Sequence, residues 1–326
     1  MTTPELSVLL TSWNTREGTR RCLESLYREV ANLFYEVIVV DNASVDGSAE
    51  MLAADPRIRL IRNDRNLGFA AAVNQAYRAA AGELVLILNS DIVFHESSLT
   101  TMVEFLRRNP DAAGVSPLYL NLDGTFQQHY VQLPEYAASL SLFTVLRRMP
   151  GFRGALWRFQ MRGQDFSHPR ELSSGSCLLL RSQVVGPDQV FDEEFPIYWN
   201  DAILTRDLQA AGHRLWMIPS AVVTHSRGAS CRLLGPSTQF RHLIGGLLNY
   251  LKRTQPAHRV ALFRLVMVAN QFLKTACRRP NTLGWRDLLA ALRGNLGPLP
   301  ERYAVDPEGA AVEAASGLVF ETQVRT

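Results

Sequence analysis

Four apolar runs of strand length, at residues 6–10, 36–40, 58–61 and 84–88, each end on a polar cluster, and helical patterns separate them. Cys22, Leu23, Leu26 and Val30 recur at helical spacing after the first run. The second ends on Asp41-Asn42-Ala43-Ser44, with Asp46-Gly47 marking entry to another helix. The third ends on Arg62-Asn63-Asp64-Arg65-Asn66 ahead of a small-residue helix over 69–81, and the fourth on Asn89-Ser90-Asp91. Strands alternating with helices this closely predict an α/β fold, a Rossmann-like, mostly parallel central sheet flanked by helices. Ligands of such sheets bind beyond the carboxyl ends of the strands, where these polar clusters fall.

From about residue 109 the rhythm changes. Residues 113–122 and 126–131 read as a hairpin about Asp123-Gly124, and 134–170, rich in Leu, Arg and aromatics, reads as an inserted or mobile region. A strand is expected over 171–181, a helix from Asn200-Asp201 to Gly212, a strand over 214–218, and a further short run at Val222-Val223-Thr224-His225. Beyond about 235 the spacing is helical. The expected organisation is a catalytic α/β domain over 1–235, a basic helical extension over 236–297 and a flexible tail over 298–326.

The bulk numbers narrow the class. Hydrophobic residues at 47% against 20% charged exclude disorder as the main theme. A net charge of +3 gives no case for nucleic acid, but it is unevenly spread. Between Arg227 and Arg293 twelve Lys or Arg face the single acid Asp287, net +11, which leaves −8 for the remainder. Cys22, Cys177, Cys231 and Cys277 have no metal-ligand spacing and read as free thiols in a reducing, cytoplasmic compartment. The start lacks a basic n-region, and no run of about 18 apolar residues suggests a membrane span.

Three acids and one histidine stand where chemistry is expected. Asp91, at a strand end, suits an Mg²⁺ or Mn²⁺ ion that also binds phosphate oxygens, and Asp41 suits a base imide or ribose hydroxyl. Asp201 opens a helix after an aromatic run and suits a general base for a weakly nucleophilic hydroxyl. An Asp of ordinary pKa, about 3.9, is ionised at neutral pH without tuning. For each acid the competing reading is a helix or turn cap. His225 suits a metal ligand or a phosphate partner, the competing reading being a hydrogen-bonded structural histidine. The other six histidines read as surface or core.

Taken in order, Ser12-Trp13-Asn14, Val40-Asp41-Asn42-Ala43-Ser44-Val45-Asp46-Gly47, Asn66-Leu67-Gly68-Phe69-Ala70 with Asn74, Leu88-Asn89-Ser90-Asp91, Ser174-Gly175-Ser176, Asn200-Asp201 and Val223-Thr224-His225 resemble the family 2 inverting glycosyltransferases, nearest their rhamnosyltransferase-like branch. The resemblance covers about residues 5–235. It implies a GT-A fold, a nucleotide-sugar donor of the dTDP-rhamnose or UDP-sugar type, a divalent metal, and direct displacement with inversion onto a saccharide or lipid-linked hydroxyl in cell-surface polysaccharide synthesis. Carried over, Thr11, Asn14 and Asp41 would hold the nucleoside, with Gly68, Asn74, Asn89 and Ser90 also on the donor side. Asp91 and His225 would hold the metal, Asp201 would be the base, and Gly175, Ser176 and Asn200 would lie beside the acceptor. The chain departs from the family pattern at Asn89 and Asn200, acidic positions in that pattern, at Ile203 in place of Asp, and at Asp207 in place of Arg.

Other classes fit less well. A nucleotidyltransferase would carry a Gly-rich, Arg-containing loop after the first strand, and a dinucleotide-binding oxidoreductase would carry GxGxxG there; Thr11-Ser12-Trp13-Asn14 is neither. A catalytically impaired nucleotide-sugar-binding protein is the remaining alternative, given Asn89 and Ile203. The basic C-terminal helices suit an anionic membrane surface, on the inner face of the cell membrane, or a lipid-diphosphate acceptor. The competing readings are a solvated face or a homo-oligomer contact.

Overall fold

The computed structural model describes residues 3–30, 32–160, 164–226, 228, 231–277 and 284–300. In chain order the elements begin with β1 (Leu6–Ser12), α1 (Arg16–Glu29), β2 (Tyr35–Asp41), α2 (Ser48–Ala53), β3 (Ile58–Arg62), α3 (Phe69–Arg78), β4 (Leu84–Asn89), β5 (Ile92–Phe94), α4 (Ser98–Arg108) and β6 (Ala112–Leu120). They continue with α5 (Tyr136–Ser141), α6 (Pro150–Phe159), β7 (Cys177–Arg181), α7 (Asn200–Ala210), β8 (Arg214–His225), α8 (Pro236–Thr254), α9 (Ala257–Ala276) and α10 (Trp285–Leu292).

All eight strands form one sheet in the order β3-β2-β1-β4-β7-β6-β8-β5. The first four are parallel, as expected, and β6 is parallel to β8. The pairings β4–β7, β6–β7 and β5–β8 are antiparallel. The order reverses at β1, which lies between β2 and β4. This is the switch point where a crevice opens in open α/β sheets.

The continuous apolar runs follow from burial on both faces. Leu6, Val8 and Leu10 point into one cluster with Cys22, Leu23 and Leu26 of α1 and Leu99, Met102 and Val103 of α4. Leu9, Ile38, Val40 and Ile87 point the other way, onto Ala70, Val73 and Ala76 of α3 and Leu204 and Leu208 of α7. A third cluster lies outside the sheet, where α8, α9 and α10 pack on α5, Phe195 and Ile203. The Ile at the family's Asp position therefore buries against Leu247, Leu248 and Leu251, which accounts for an apolar residue there.

Several expectations need correction. The hairpin past β6 is reduced to a single antiparallel bridge, Leu120 to Phe126, with Asn121 N–H on Thr125 O and Gln127 N–H on Tyr119 O (both 2.8 Å). The strand expected from residue 171 begins only at Cys177. Before it, Ser173 bonds Thr205 (2.7 Å) and the Ser174 N–H donates to Ser116 Oγ (3.0 Å), so short hydroxyl side chains take the place of strand pairing. The two runs at 214–218 and 222–225 form one strand, β8, with an irregularity where Ile218 and Val222 face Pro117 and Leu118. The segment at 134–170 carries α5, a 3-10 turn over Val145–Arg148, and α6. Of the expected tail, 301–326 lie outside the described residues, as do Arg227, Arg278 and Arg279. Among the described residues no helix is long and apolar enough to cross a membrane.

Candidate active site

The carboxyl ends of β1, β2, β4 and β8 meet in one contiguous arc. At the end of β1 the chain takes a left-handed step at Asn14 (φ 52°), which turns its side chain back under the β2 loop. Asn14 Oδ1 accepts from Val45 N–H (2.8 Å), and its own N–H donates to Ser44 Oγ (2.9 Å). Asp41, 2% exposed, accepts from Ser44 N–H through Oδ2 (3.0 Å). Thr11 pairs with Val40 and Asn89 at the centre of the arc. Thr15 Oγ1 and Ser90 Oγ, 2.9 Å apart, tie the β1 loop to the end of β4.

Gly68 (φ +92°) closes the β2 end of the arc, where its carbonyl accepts from Asn42 Nδ2 (3.2 Å). A Cβ there would lie 2.9 Å from Pro196 and 3.0 Å from Leu299. Leu299 also packs with Trp13, Leu233, Leu234 and Ile197, so the chain beyond α10 returns to wall this end of the cleft. Asn74 has a different position from the one expected. Its amide accepts from the N–H groups of Val190 and Phe191 and donates to Phe191 O and Glu193, which spends all four of its hydrogen bonds on holding the 190–193 segment to α3.

Asp91 and His225 face each other across β5 and β8, with 3.4 Å between Oδ1 and Nε2. Both are buried, at 8% and 2% exposure. Gln127 sets the histidine's tautomer. Its Nε2 donates to His225 O (3.0 Å) and Asn121 Oδ1 (2.8 Å), so its Oε1 faces His225 Nδ1 at 2.7 Å and that nitrogen carries the proton. The Nε2 lone pair is thereby aimed toward Asp91 without a hydrogen bond of its own. Two such groups 3.4 Å apart are satisfied either by a proton on Nε2 or by a cation between or beside them. Among the described residues no group of three or more His, Cys, Asp or Glu is placed to hold a metal. Asp91 and His225 still fit a divalent ion of the kind that takes one or two protein ligands and completes its shell with phosphate oxygens and water.

The residues expected beside an acceptor are positioned by β7 and the loop before it. Asn89 Nδ2 donates to Ser176 Oγ (3.2 Å), and Ser176 Oγ shares a 2.7 Å hydrogen bond with His129 Nε2. The His129 ring lies 4.5 Å from that of His225. Gly175 rests against Asp201: a Cβ at 175 would sit 2.8 Å from Asp201 Cβ and 3.3 Å from Oδ2. Trp199 (φ 69°) precedes α7, so the helix starts with Asn200 and Asp201 at the cleft. Burial raises the Asp201 carboxyl above its ordinary value, against a smaller opposing effect of the Ala202 and Gly175 backbones. The untuned carboxylate expected from sequence is thus a tuned one.

Six buried polar atoms in this arc have no hydrogen-bond partner: Trp13 Nε1, Asn14 Nδ2, Asp41 Oδ1, Asn89 Oδ1, Asn200 Nδ2 and His225 Nε2. Buried polar groups are otherwise almost always paired, so their concentration at the strand ends marks a binding surface for a polar ligand. Residues 7–182, over half the chain, match the family model described as Glycosyl transferase family 2. The chain belongs to glycosyl transferase family 2. Among its relatives, the N-acetylglucosaminyl-diphospho-decaprenol L-rhamnosyltransferase of Mycobacterium tuberculosis is 29% identical over 210 residues, 60% of this chain and 67% of that one. The succinoglycan biosynthesis protein ExoO of Rhizobium meliloti is 34% identical over 122 residues, 37% and 34% of the two chains. Two solved structures share the GT-A fold of this family 2 chain. The mannosyltransferase PcManGT of Pyrobaculum calidifontis, in complex with GDP-Man and Mn²⁺, has a TM-score of 0.51 at 17% identity, covering 97% of this chain and 88% of that one. Staphylococcus aureus TarS in complex with UDP has a TM-score of 0.51 at 14% identity, covering 90% and 82%.

Gln127, His129, Trp199 and Leu299 were not singled out by sequence. Gln127 and His129 follow the Asp123-Gly124 turn with no motif of their own, and Leu299 lies far from the strand ends in sequence.

Proposed function

We propose that the protein transfers a sugar, rhamnose or a similar hexose, from a dTDP- or UDP-linked donor to a hydroxyl of a lipid-diphosphate-linked saccharide, with inversion. The observation that carries this is the arc of unspent polar atoms from Asp41 to Asn200, whose ends differ in chemistry. At one end Thr11, Asn14 and Asp41 offer a carboxylate oxygen and amide hydrogens to a nucleoside. At the other, Asp201 offers a carboxylate beside Gly175. The acceptor class is drawn from the mycobacterial relative, whose name specifies a polyprenyl-diphosphate sugar.

Asp91 and His225 would hold the metal, which supplies charge neutralisation on the departing diphosphate. Asn89 Oδ1, buried and unpartnered, would add a neutral oxygen where a second carboxylate is more usual. Gly68, held at positive φ against Pro196 and Leu299, would close the donor side of the arc. Asp201 takes the proton from the acceptor hydroxyl as that oxygen attacks the anomeric carbon from the face opposite the diphosphate, and the single displacement inverts the centre. Asn200 and Ser176 orient the acceptor, and Gly175 leaves the space in which the Asp201 carboxylate reaches it.

Incubating the protein with Mn²⁺, a polyprenyl-diphosphate N-acetylglucosamine acceptor and a panel of nucleotide sugars tests the reading. A glycosylated lipid product with one donor supports it. Donor binding with neither transfer nor hydrolysis across the panel would make the protein a nucleotide-sugar-binding protein instead.

A further inference from the structure

Helix α9 is apolar on both sides. Val260, Phe263 and Met267 face the helical-layer core. The opposite side of a helix at a protein surface is normally polar. Here it carries Ala261, Leu262, Leu265, Ala269, Phe272 and Leu273, all exposed, with Leu265 at 64% and Phe272 at 67%. On a 3.6-residue turn these lie within one stripe opposite Val260 and Met267. Contiguous exposed apolar surface of this kind marks a contact with a partner or a membrane.

The stripe's surroundings name the occupant. Arg264 and Arg259 flank it, both exposed. The 3-10 turn over Val145–Arg148 is fixed alongside, since Asn270 of α9 accepts from Val145 N–H (3.0 Å) and donates to Phe143 O (3.1 Å). That turn, tied to α9 at buried Asn270, carries Arg147, Arg148 and Met149, all exposed. Not every basic residue of the extension takes part: Arg253 is committed to Asp192 and Glu194 of the catalytic domain. Across α9 itself there is no acid in twenty residues. An apolar stripe flanked by cations and free of acids on its own helix is complementary to an anionic bilayer, with Leu and Phe entering the acyl boundary and Arg meeting headgroup phosphates.

We infer that the outer face of α9, together with the Val145–Arg148 turn, docks the protein on an anionic lipid surface. The docking does not rest on the donor or base assignments. Co-sedimentation of the full chain tests it, using vesicles of phosphatidylcholine with phosphatidylglycerol and vesicles of phosphatidylcholine alone. The wild type is expected to sediment with the anionic vesicles and to be released by salt. Leu265→Glu/Phe272→Glu, at exposed positions that leave the melting temperature unchanged, is expected to bind at least about tenfold more weakly. An Arg147→Glu/Arg148→Glu/Arg264→Glu variant is expected to lose the preference for anionic vesicles. Binding by Leu265→Glu/Phe272→Glu equal to the wild type would overturn the inference, as would no wild-type binding. Light scattering separates the other occupant: a wild-type dimer that the same double variant makes monomeric, with no vesicle binding by either, gives the face to a second copy and also overturns it.

Discussion

Gly175 and Asp201 are in van der Waals contact across the cleft, so close that a methyl group at 175 would lie 2.8 Å from Asp201 Cβ. The loop before β7 is thus the wall against which the proposed base is set.

Gly175→Ala is therefore expected to displace the Asp201 carboxylate and lower kcat at least about tenfold with little change in donor affinity, because misplacement of about 1 Å at a reacting group is costly. Steady-state kinetics beside donor titration reads both. A variant with unchanged kcat would show that the contact does not position a reacting group.

Gln127 holds His225 by its Nδ1 proton, and so would act on the proposed metal without touching it. Gln127→Leu is expected to weaken the apparent affinity for Mn²⁺ in the transfer assay about 10–100-fold, with maximal rate recovered at high metal. An unshifted metal titration would sever this link.

The helical layer and the start of α7 meet where Trp199 lies on Gly246. Its indole N–H donates to Leu243 O (3.0 Å), and a Cβ at 246 would be 2.6 Å from Trp199 Cδ1. Gly246→Ala should destabilise the fold by about 1–3 kcal/mol through overpacking and also reduce transfer, since Trp199 sets the start of α7. Thermal melts and initial rates check the two effects together.

His242 on α8 is buried with both ring nitrogens unpartnered, and burial pulls its pKa down to about 4. The unfolded imidazole titrates near about 6.5, so on acidification the unfolded chain takes up the proton first. Stability from this residue is present above pH ~6.5 and is lost as pH falls toward about 4, by ~1.4 kcal/mol per pH unit. His242→Leu should flatten that part of the profile in urea titrations at pH 7 and pH 5. An identical slope in the variant would show that His242 does not protonate on unfolding.

Much of this arrangement was legible before the structure. Strands β1, β2 and β4 are buried on both faces, so they read as unbroken apolar runs, and the polar residues ending them could only lie at the sheet edge. Asp41 and Asp91 were singled out that way, and Asn14 through the resemblance. The parts that were missed depend on contacts between distant residues. Gln127 and His129 sit in a stretch of strand-like propensity, and only the fold brings their side chains to His225 and Ser176. Asn74 matched a donor-side pattern, but its amide is consumed by a segment more than a hundred residues later. Leu299 walls the Gly68 end of the arc from a segment in which composition suggested a loose tail. The antiparallel β7, inserted between β4 and β6, has no local signature that separates it from a parallel strand.

Raised by burial, the Asp201 carboxyl should place the acid limb of the rate profile above the ordinary carboxylate range, with activity falling as pH drops through it. A folded-state pKa above the unfolded one means that the ionised group opposes folding at neutral pH. Asp201→Asn should therefore be more stable than the wild type there. The most direct measurement is single-turnover transfer by that variant at saturating donor and Mn²⁺. If Asp201 is the base, transfer falls by at least about 10²-fold while donor affinity is retained. Transfer at the wild-type rate would contradict the account.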